Sequence, residues 1–201
     1  MKPRFIVEQK ITALVNRYSV YSVLEDGSKG NLGVFVEQKR FAFKESVSFF
    51  KDSTKQELLF TFKAEKVMDI HGKFLVKDPN DALIGYFKKE FAKSLTNSTW
   101  SIYDHNDVLK LSVNESNRLV AVLRRFAGWI PIVGELVDAV MIFVKYHFSF
   151  YGTDNTEVGK YEKTTLFRDH YVFSMSDEAY AAQDWRVFVS MAIALDALQA
   201  R

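Results

Sequence analysis

The last stretch of the chain, Asp184 to Ala200, constrains the fold more than any other. It is rich in strong helix formers and contains neither Gly nor Pro. Its apolar residues cover every face of a helical projection. A surface helix keeps a polar stripe, whereas a helix that is apolar all round needs protein on every side. The apolar run from Val187 to Leu195, broken only by Ser190, is far shorter than the ~20 residues needed to cross a bilayer. The expectation is therefore a helix wrapped by the rest of the chain.

The rest of the chain must supply that wrapping, and it reads as β-structure. Phe5, Val7, Ile11, Ala13 and Val15 alternate loosely with polar residues, as in an opening strand or a short helix followed by a strand. Tyr18 to Val23 is β-rich, the cluster from Glu25 to Asn31 is a turn, and Leu32 to Gln38 returns as a second strand with a longish loop between. Lys39 to Asp52 is basic and aromatic, with Phe41, Phe43, Val47, Phe49 and Phe50 spaced for another strand. Leu58 to Ile70 has the pattern of one or two more. Hairpins follow about Asp78 to Asp81, Asp104 to Asp107 and Gly152 to Asn155. Leu166 to Met175 is the last strand region.

These hairpins repeat one plan. Phe74 to Lys89 and Phe148 to Lys163 align without a gap, placing Gly85 on Gly159 and Ile84 on Val158. Trp100 to Leu109 shares the opening half, and Tyr21 onward follows the plan with a longer loop. The unit is an aromatic-led strand, a tight turn held by Asx side chains and a returning strand. A hairpin cannot bury a face alone, so several must close on a shared core.

This pattern of repeated hairpins finished by an apolar C-terminal helix resembles the Tubby C-terminal-like superfamily, and most closely its LURP-one-related and phospholipid scramblase-like branch. The likeness covers roughly residues 17–113 and 147–200. It implies a mainly β (α+β) fold: a closed antiparallel β-barrel of about twelve strands around a buried C-terminal helix. The whole chain, 1–201, is then one domain, a size sufficient for a proper core. Closure also removes exposed strand edges.

One segment departs from the plan. In residues 115–146, Leu119, Val122, Leu123 and Phe126 carry helical spacing, and so do Leu136, Val137, Val140, Met141 and Val144. Gly128 to Gly134, with Pro131, makes the break between them. The expectation is a helical-hairpin insertion whose tip presents Trp129, Ile130 and Ile132 beside Arg124 and Arg125. Either that tip contacts a membrane or a protein partner, or both helices cap one end of the barrel. Glu135 and Asp138 argue against a transmembrane hairpin.

The net charge of +2 gives no overall field directed at nucleic acid, and none is expected as a partner. Tubby domains bind phosphoinositide headgroups through basic residues, and the resemblance extends that to Lys39, Arg40 and Lys44 and to Lys88, Lys89 and Lys93. A phosphate site needs several cations converging with backbone N–H donors. The turn residues Asp78, Asn80, Asp81, Asp104, Asn106 and Asp107 have the look of a cation loop but lack its glycine and its bidentate glutamate. Asx-turn chemistry accounts for them. With no Cys there is no thiolate nucleophile and no disulfide. His71, His105, His147 and His170 show no ligand spacing, and no catalytic motif occurs.

The sequence thus reads as a non-enzymatic, cytoplasmic binding module without cofactor or metal, meeting anionic phospholipid or a membrane surface peripherally. The alternative is a protein-interaction or scaffold domain acting through the insertion, with an enzyme or a scramblase least supported.

Overall fold

The structure, a computed structural model, describes residues 1–11, 15–39, 46–65, 72–90, 99–115, 147–165 and 169–199. Twelve strands run in chain order. They are β1 (Lys2–Ile11), β2 (Val15–Val23), β3 (Lys29–Lys39), β4 (Val47–Phe50), β5 (Leu58–Ala64) and β6 (Lys73–Lys77), then β7 (Leu83–Lys89), β8 (Thr99–Asp104), β9 (Leu109–Glu115), β10 (His147–Tyr151), β11 (Glu157–Lys163) and β12 (Asp169–Met175). Each pairs antiparallel with its sequence neighbours, and β1 pairs with β12 to close the barrel. Two helices follow, α1 (Asp177–Ala181) and α2 (Trp185–Gln199). Phe5, Val7 and Ile11 thus lie in one strand, Val15 opens the next, and Ala13 lies outside the described residues.

Alternation decides which side chains point inward. Val7, Val20, Val34, Val36, Phe49, Phe62, Phe87, Ile102, Val113, Phe150 and Phe173 are all buried in one hydrophobic cluster. Aromatic pairs join neighbouring strands on this inner face: Phe5 stacks on Phe173 at 4.5 Å between centroids, and Phe49 on Phe60 at 4.2 Å.

The tight turns share one construction. In each of four, the first residue's carbonyl accepts from the fourth, and its N–H donates to the fifth residue's carbonyl. The bonds are Gly27 to Leu24, Asp81 to Asp78, Asp107 to Asp104 and Asn155 to Gly152. The fourth residue is left-handed every time, with φ of 82° at Gly27, 66° at Asp81 and Asp107 and 64° at Asn155. This is a type I turn followed by a bulge, in which Gly, Asn and Asp are the residues that tolerate positive φ. The β2–β3 connection is therefore no longer than the others: Lys29, Gly30 and Asn31 already belong to β3. A related fifth turn joins β4 to β5, with Lys55 at φ 58° and Asp52 Oδ1 accepting from Thr54 N–H at 2.8 Å. Its polar residues follow no aromatic-led strand of the repeated kind, so the repeat pattern does not identify it.

Because the strands alternate in direction, all five of these turns lie at one end of the barrel, the turn end. The connections across residues 12–14, 40–45, 66–71, 91–98, 116–146 and 166–168 join strand ends at the opposite, far end. Those residues lie outside the described part of the chain.

The aligned glycines mark close approaches in the wall. A Cβ built on Gly85 would lie 2.8 Å from the Tyr103 carbonyl oxygen and 3.1 Å from Val187 Cγ2, and one on Gly159 would lie 2.9 Å from the Ser174 carbonyl oxygen. Gly85 thus lets β7 approach both β8 and α2. Gly85→Ala forces a backbone oxygen to move and is expected to cost ~1–3 kcal/mol, as overpacking does. A melting temperature unchanged by that substitution would show that the approach is not tight.

Ser176 caps α1 by accepting from Ala179 N–H at 3.3 Å. Asp184 does the same for α2, its Oδ1 accepting from Arg186 N–H at 2.9 Å while its carboxylate also grips the Arg186 guanidinium at 2.9 and 2.7 Å. Every residue from Val187 to Leu195 is buried, Ser190 included. The side chains of α2 meet several parts of the wall: Val187 is near Gly85 of β7, Trp185 packs edge-on to Phe60 of β5, and Phe188 lies 5.4 Å from Phe173 of β12. The helix begins at the turn end and runs about 22 Å at 1.5 Å per residue, bringing Asp196 to the far end.

Candidate binding site

Among the described residues, three places combine polar chemistry with a defined geometry: the inner wall at the far end, the outer face of β5 to β8, and a cleft at the turn end.

At the far end the carboxylate of Asp196, from α2, receives two hydroxyl groups. Tyr171 of β12 donates to Oδ1 at 2.6 Å, and Tyr18 of β2 donates to Oδ2 at 3.0 Å. Tyr18 in turn accepts from Gln9 Nε2 at 3.0 Å. Burial pushes the Tyr18 hydroxyl far above its ordinary range, and the neighbouring Asp196 charge adds to this. The proton therefore stays on the tyrosine. Tyr161 stacks on Tyr171 at 5.0 Å beside them.

The candidate lysines separate. Lys88 and Lys89 are consecutive in β7 and so point to opposite faces. Lys89 faces inward, 5.8 Å from the Trp100 ring, and Lys88 faces outward. They do not form one convergent pair. Lys39 ends β3, also at the far end. Arg40, Lys44 and Lys93 lie outside the described residues, and so does the whole apolar tip with Arg124, Arg125, Trp129, Ile130 and Ile132.

Lys88 instead has a partner that sequence reasoning missed. On the outer face it stands directly opposite Lys73 of β6. Beneath the two ammonium groups Tyr86 and Tyr103 stack at 4.6 Å, with Lys73 4.1 Å from the Tyr86 centroid and Lys88 5.2 Å from that of Tyr103. Tyr86 is buried and its hydroxyl donates to the Asp107 carboxylate. Like charges directly opposed across a strand pair repel. The nearest acids relieve this incompletely: Lys73 is 3.9 Å from Glu65 and Lys88 is 3.5 Å from Glu90. Lys29, Lys55 and Lys77 hold their carboxylates at 2.7–2.8 Å. Burial lowers the Lys88 pKa, but the Tyr103 hydroxyl and Glu90 more than offset it, leaving the group above its ordinary value and charged. The only signal for this pair in the sequence is the register of one hairpin, in which Phe74 faces Phe87.

At the turn end, a cleft of about 580 Å³ opens between the β6–β7 and β8–β9 turns and the link from α1 to α2. Asp78, Asp104, His105, Gln183, Asp184 and Arg186 line it with several small apolar residues. Most of these polar groups are already committed. Asp104 accepts from Val108 and Asn106 N–H and pairs with Lys110 at 3.1 Å, Gln183 donates to the Tyr103 carbonyl, and Asp184 holds Arg186. These bonds, led by the Val108 N–H, keep the Asp104 carboxyl below the usual carboxylate range. Asp78 likewise accepts from Asn80 and Ala82 N–H. The turn carboxylates therefore hold their own turns, as Asx chemistry requires. Among the described residues no group of three or more His, Asp or Glu side chains is placed to hold a metal, and none of the described helices is long and apolar enough to cross a membrane.

Twelve antiparallel strands in meander order, closed by β1 on β12 and followed by two C-terminal helices, define the class as an antiparallel β-barrel protein. Residues 33–196 match the LURP-one-related family model, and the chain belongs to that family. The matched region runs from within β3 to Asp196, and β1 and β2 complete the closed barrel. No curated protein and no solved structure gives a match.

Proposed function

We propose that this LURP-one-related barrel is a non-catalytic binding module that meets anionic phospholipid headgroups peripherally, with α2 as the plug that keeps the barrel rigid. The opposed pair Lys73 and Lys88 carries the reading. Two charged ammonium groups, held in register over a stacked tyrosine pair and only loosely neutralised, gain from a phosphate that bridges them. Their strand ends lie at the far end with Lys39, and a membrane surface is broad enough to engage outer-face and end residues together.

Vesicle co-sedimentation at low salt tests this. The wild-type chain is expected to sediment with vesicles containing phosphoinositide or phosphatidylserine, and not with purely zwitterionic ones. Each basic residue near an anionic surface contributes ~1 kcal/mol, so the double reversal Lys73→Glu, Lys88→Glu should weaken binding more than about tenfold. Both side chains are on the outer face, so folding is expected to survive the exchange. Wild-type binding that ignores anionic lipid, or a double variant that binds as well as wild type, sinks the reading.

A further inference from the structure

The cleft at the turn end has a character that turn chemistry alone does not explain. The seven large apolar side chains exposed among the described residues all lie toward that end of the barrel. Met1, Leu24 and Leu32 belong to its β1 to β3 side. The other four gather at the cleft. Leu83 lines it, Val108 and Leu109 follow the lining residues Asp104 and His105 in the β8–β9 turn, and Trp185 lies between Asp184 and Arg186. Trp185 leaves 41% of its surface to solvent although its ring packs edge-on to Phe60. Phe60 precedes Thr61, which pairs with Lys77, so the indole stands on the β5–β6 side, next to the strand end that carries Asp78. Single exposed apolar residues are ordinary, but a set gathered around one concave site marks an interface.

The lining selects what can enter. Ala82, Leu83, Ile84, Ala181 and Ala182 give the cleft apolar walls. Its charges do not cancel. Asp104 is paired with Lys110, whereas Asp184 and Asp78 have one guanidinium between them: Arg186 is gripped by Asp184 and feels Asp78 more weakly. Asp78 accepts both of its turn hydrogen bonds, from Asn80 and Ala82 N–H, on Oδ1, and Oδ2 is open to a further donor. Apolar walls around an open carboxylate oxygen fit a long side chain with an aliphatic stem and a cationic head. The wider surface has the same sign. The connections 24–28, 51–57, 78–82, 104–108, 152–156 and 176–186 hold twelve Asp and Glu against three Lys and Arg, in a chain whose net charge is +2. Lysines at the strand ends, such as Lys77 beside Asp81, relieve only part of this. A basic partner is steered to such a surface, and an anionic membrane is repelled from it.

We propose that the turn-end cleft and its apolar rim dock a segment of a partner protein in which a basic residue is flanked by large apolar ones. The basic side chain enters between the β6–β7 and β8–β9 turns and meets Asp78, while its apolar neighbours cover Leu83, Val108 and Trp185. An exposed Trp beside a desolvated charge pair is the usual make-up of an interface hot spot. The docking is independent of the outer lysine pair, which lies toward the opposite end, and either can hold without the other.

The probe is the capped peptide acetyl-Ser-Leu-Arg-Leu-Ser-amide, titrated into the full chain and followed by tryptophan fluorescence. Two control peptides carry citrulline in place of the arginine, or glycine in place of both leucines. Wild type is expected to bind the probe saturably, with a blue shift that Trp185→Phe removes. Each control should bind about tenfold or more weaker, since a hydrogen bond to a charged group and buried apolar area are both lost. Asp78→Asn keeps an oxygen to accept from Asn80 and Ala82 but loses the charge, so the turn should hold. It should bind the arginine and citrulline peptides alike, a loss of discrimination that a change in stability does not produce. Val108→Ser, at a side chain 50% exposed, should weaken the probe severalfold with the melting temperature unchanged. The Lys73→Glu, Lys88→Glu double variant should bind the peptide as wild type does, which separates this reading from the vesicle reading. The site is refuted if the probe does not bind saturably, if citrulline binds as tightly as arginine, or if Asp78→Asn still prefers arginine. It is also refuted if the Trp185 shift comes with anionic vesicles and not with the peptide, since the turn end would then be the membrane face.

Discussion

Ile193→Asp is expected to abolish cooperative folding of the whole domain. Ile193 has no exposed surface, and its neighbours along α2, from Val187 to Leu195, are buried on every side. An aspartate there would be a charge without a partner, or a protonated acid without a hydrogen bond, in a wall of aliphatic and aromatic side chains. Single substitutions of this kind exceed about 4–5 kcal/mol, which is comparable to the ~5–15 kcal/mol that holds a typical domain together. The same outcome is expected for Val189→Asp, at 1% exposure. Circular dichroism and denaturant titration read it directly: no cooperative transition and no native near-ultraviolet signal. A variant that melts cooperatively near the wild-type temperature would mean that α2 can leave the barrel without unfolding it, and the helix would then be a detachable element instead of core.

Phe188→Ala is expected to leave the fold intact but to lower its stability by ~3–5 kcal/mol, the range for removing a large buried aromatic. The ring has no exposed surface. It stacks on Tyr180 of α1 at 5.5 Å and meets Phe173 of β12 at 5.4 Å. Phe173 in turn contacts Phe5 and Phe150, so the ring joins α1, α2 and the strand pair that closes the barrel. In a chain of 150–250 residues, 1 kcal/mol moves the melting temperature by ~2–4 °C, so a fall of roughly 6–20 °C is expected. A fall below about 3 °C would show that neighbouring side chains collapse into the space, and that the aromatic chain across the closure seam adds little.

The two substitutions test different properties of one helix. The aspartate reports whether α2 is enclosed, and the alanine reports how tightly the wall fits it. Neither touches the outer lysine pair. Loss of vesicle binding in a folded Phe188→Ala variant would therefore point to the rigidity of the barrel and not to a missing contact.

Much of the wall was legible in the residues. The three Asx-rich turns announce themselves by Asp, Asn and Gly at fixed offsets, because few residues tolerate the left-handed conformation at the turn's fourth position. The glycine that repeats at 85 and 159 marks a close approach. The β4–β5 turn was harder to see, since Lys55 takes the positive φ that Gly or Asn usually takes. Helix α1 is five residues long, too short to show a period. The headgroup lysines were legible only as composition. Lys88 and Lys89 look like a pair in the sequence, yet pleating sends them to opposite faces, and the true neighbour of Lys88 is Lys73, across the hairpin.

What the sequence alone determined is what depends on local physics: an apolar helix that requires enclosure, turn chemistry that sets four hairpins, and alternation that assigns each strand an inner and an outer face. What only the tertiary structure decided is which distant residues meet. Tyr18 and Asp196 are 178 positions apart and share a hydrogen bond, and Asn16 faces Gln38 because the β2–β3 register places it there. Periodicity repeats within a strand and carries no information about how twelve strands are staggered around a barrel. That stagger, fixed by bulges and by the fit of the wall around α2, sets the height at which each polar side chain enters, and so gathers one carboxylate, two tyrosines and two amides at the end of a helix that the sequence shows only as apolar.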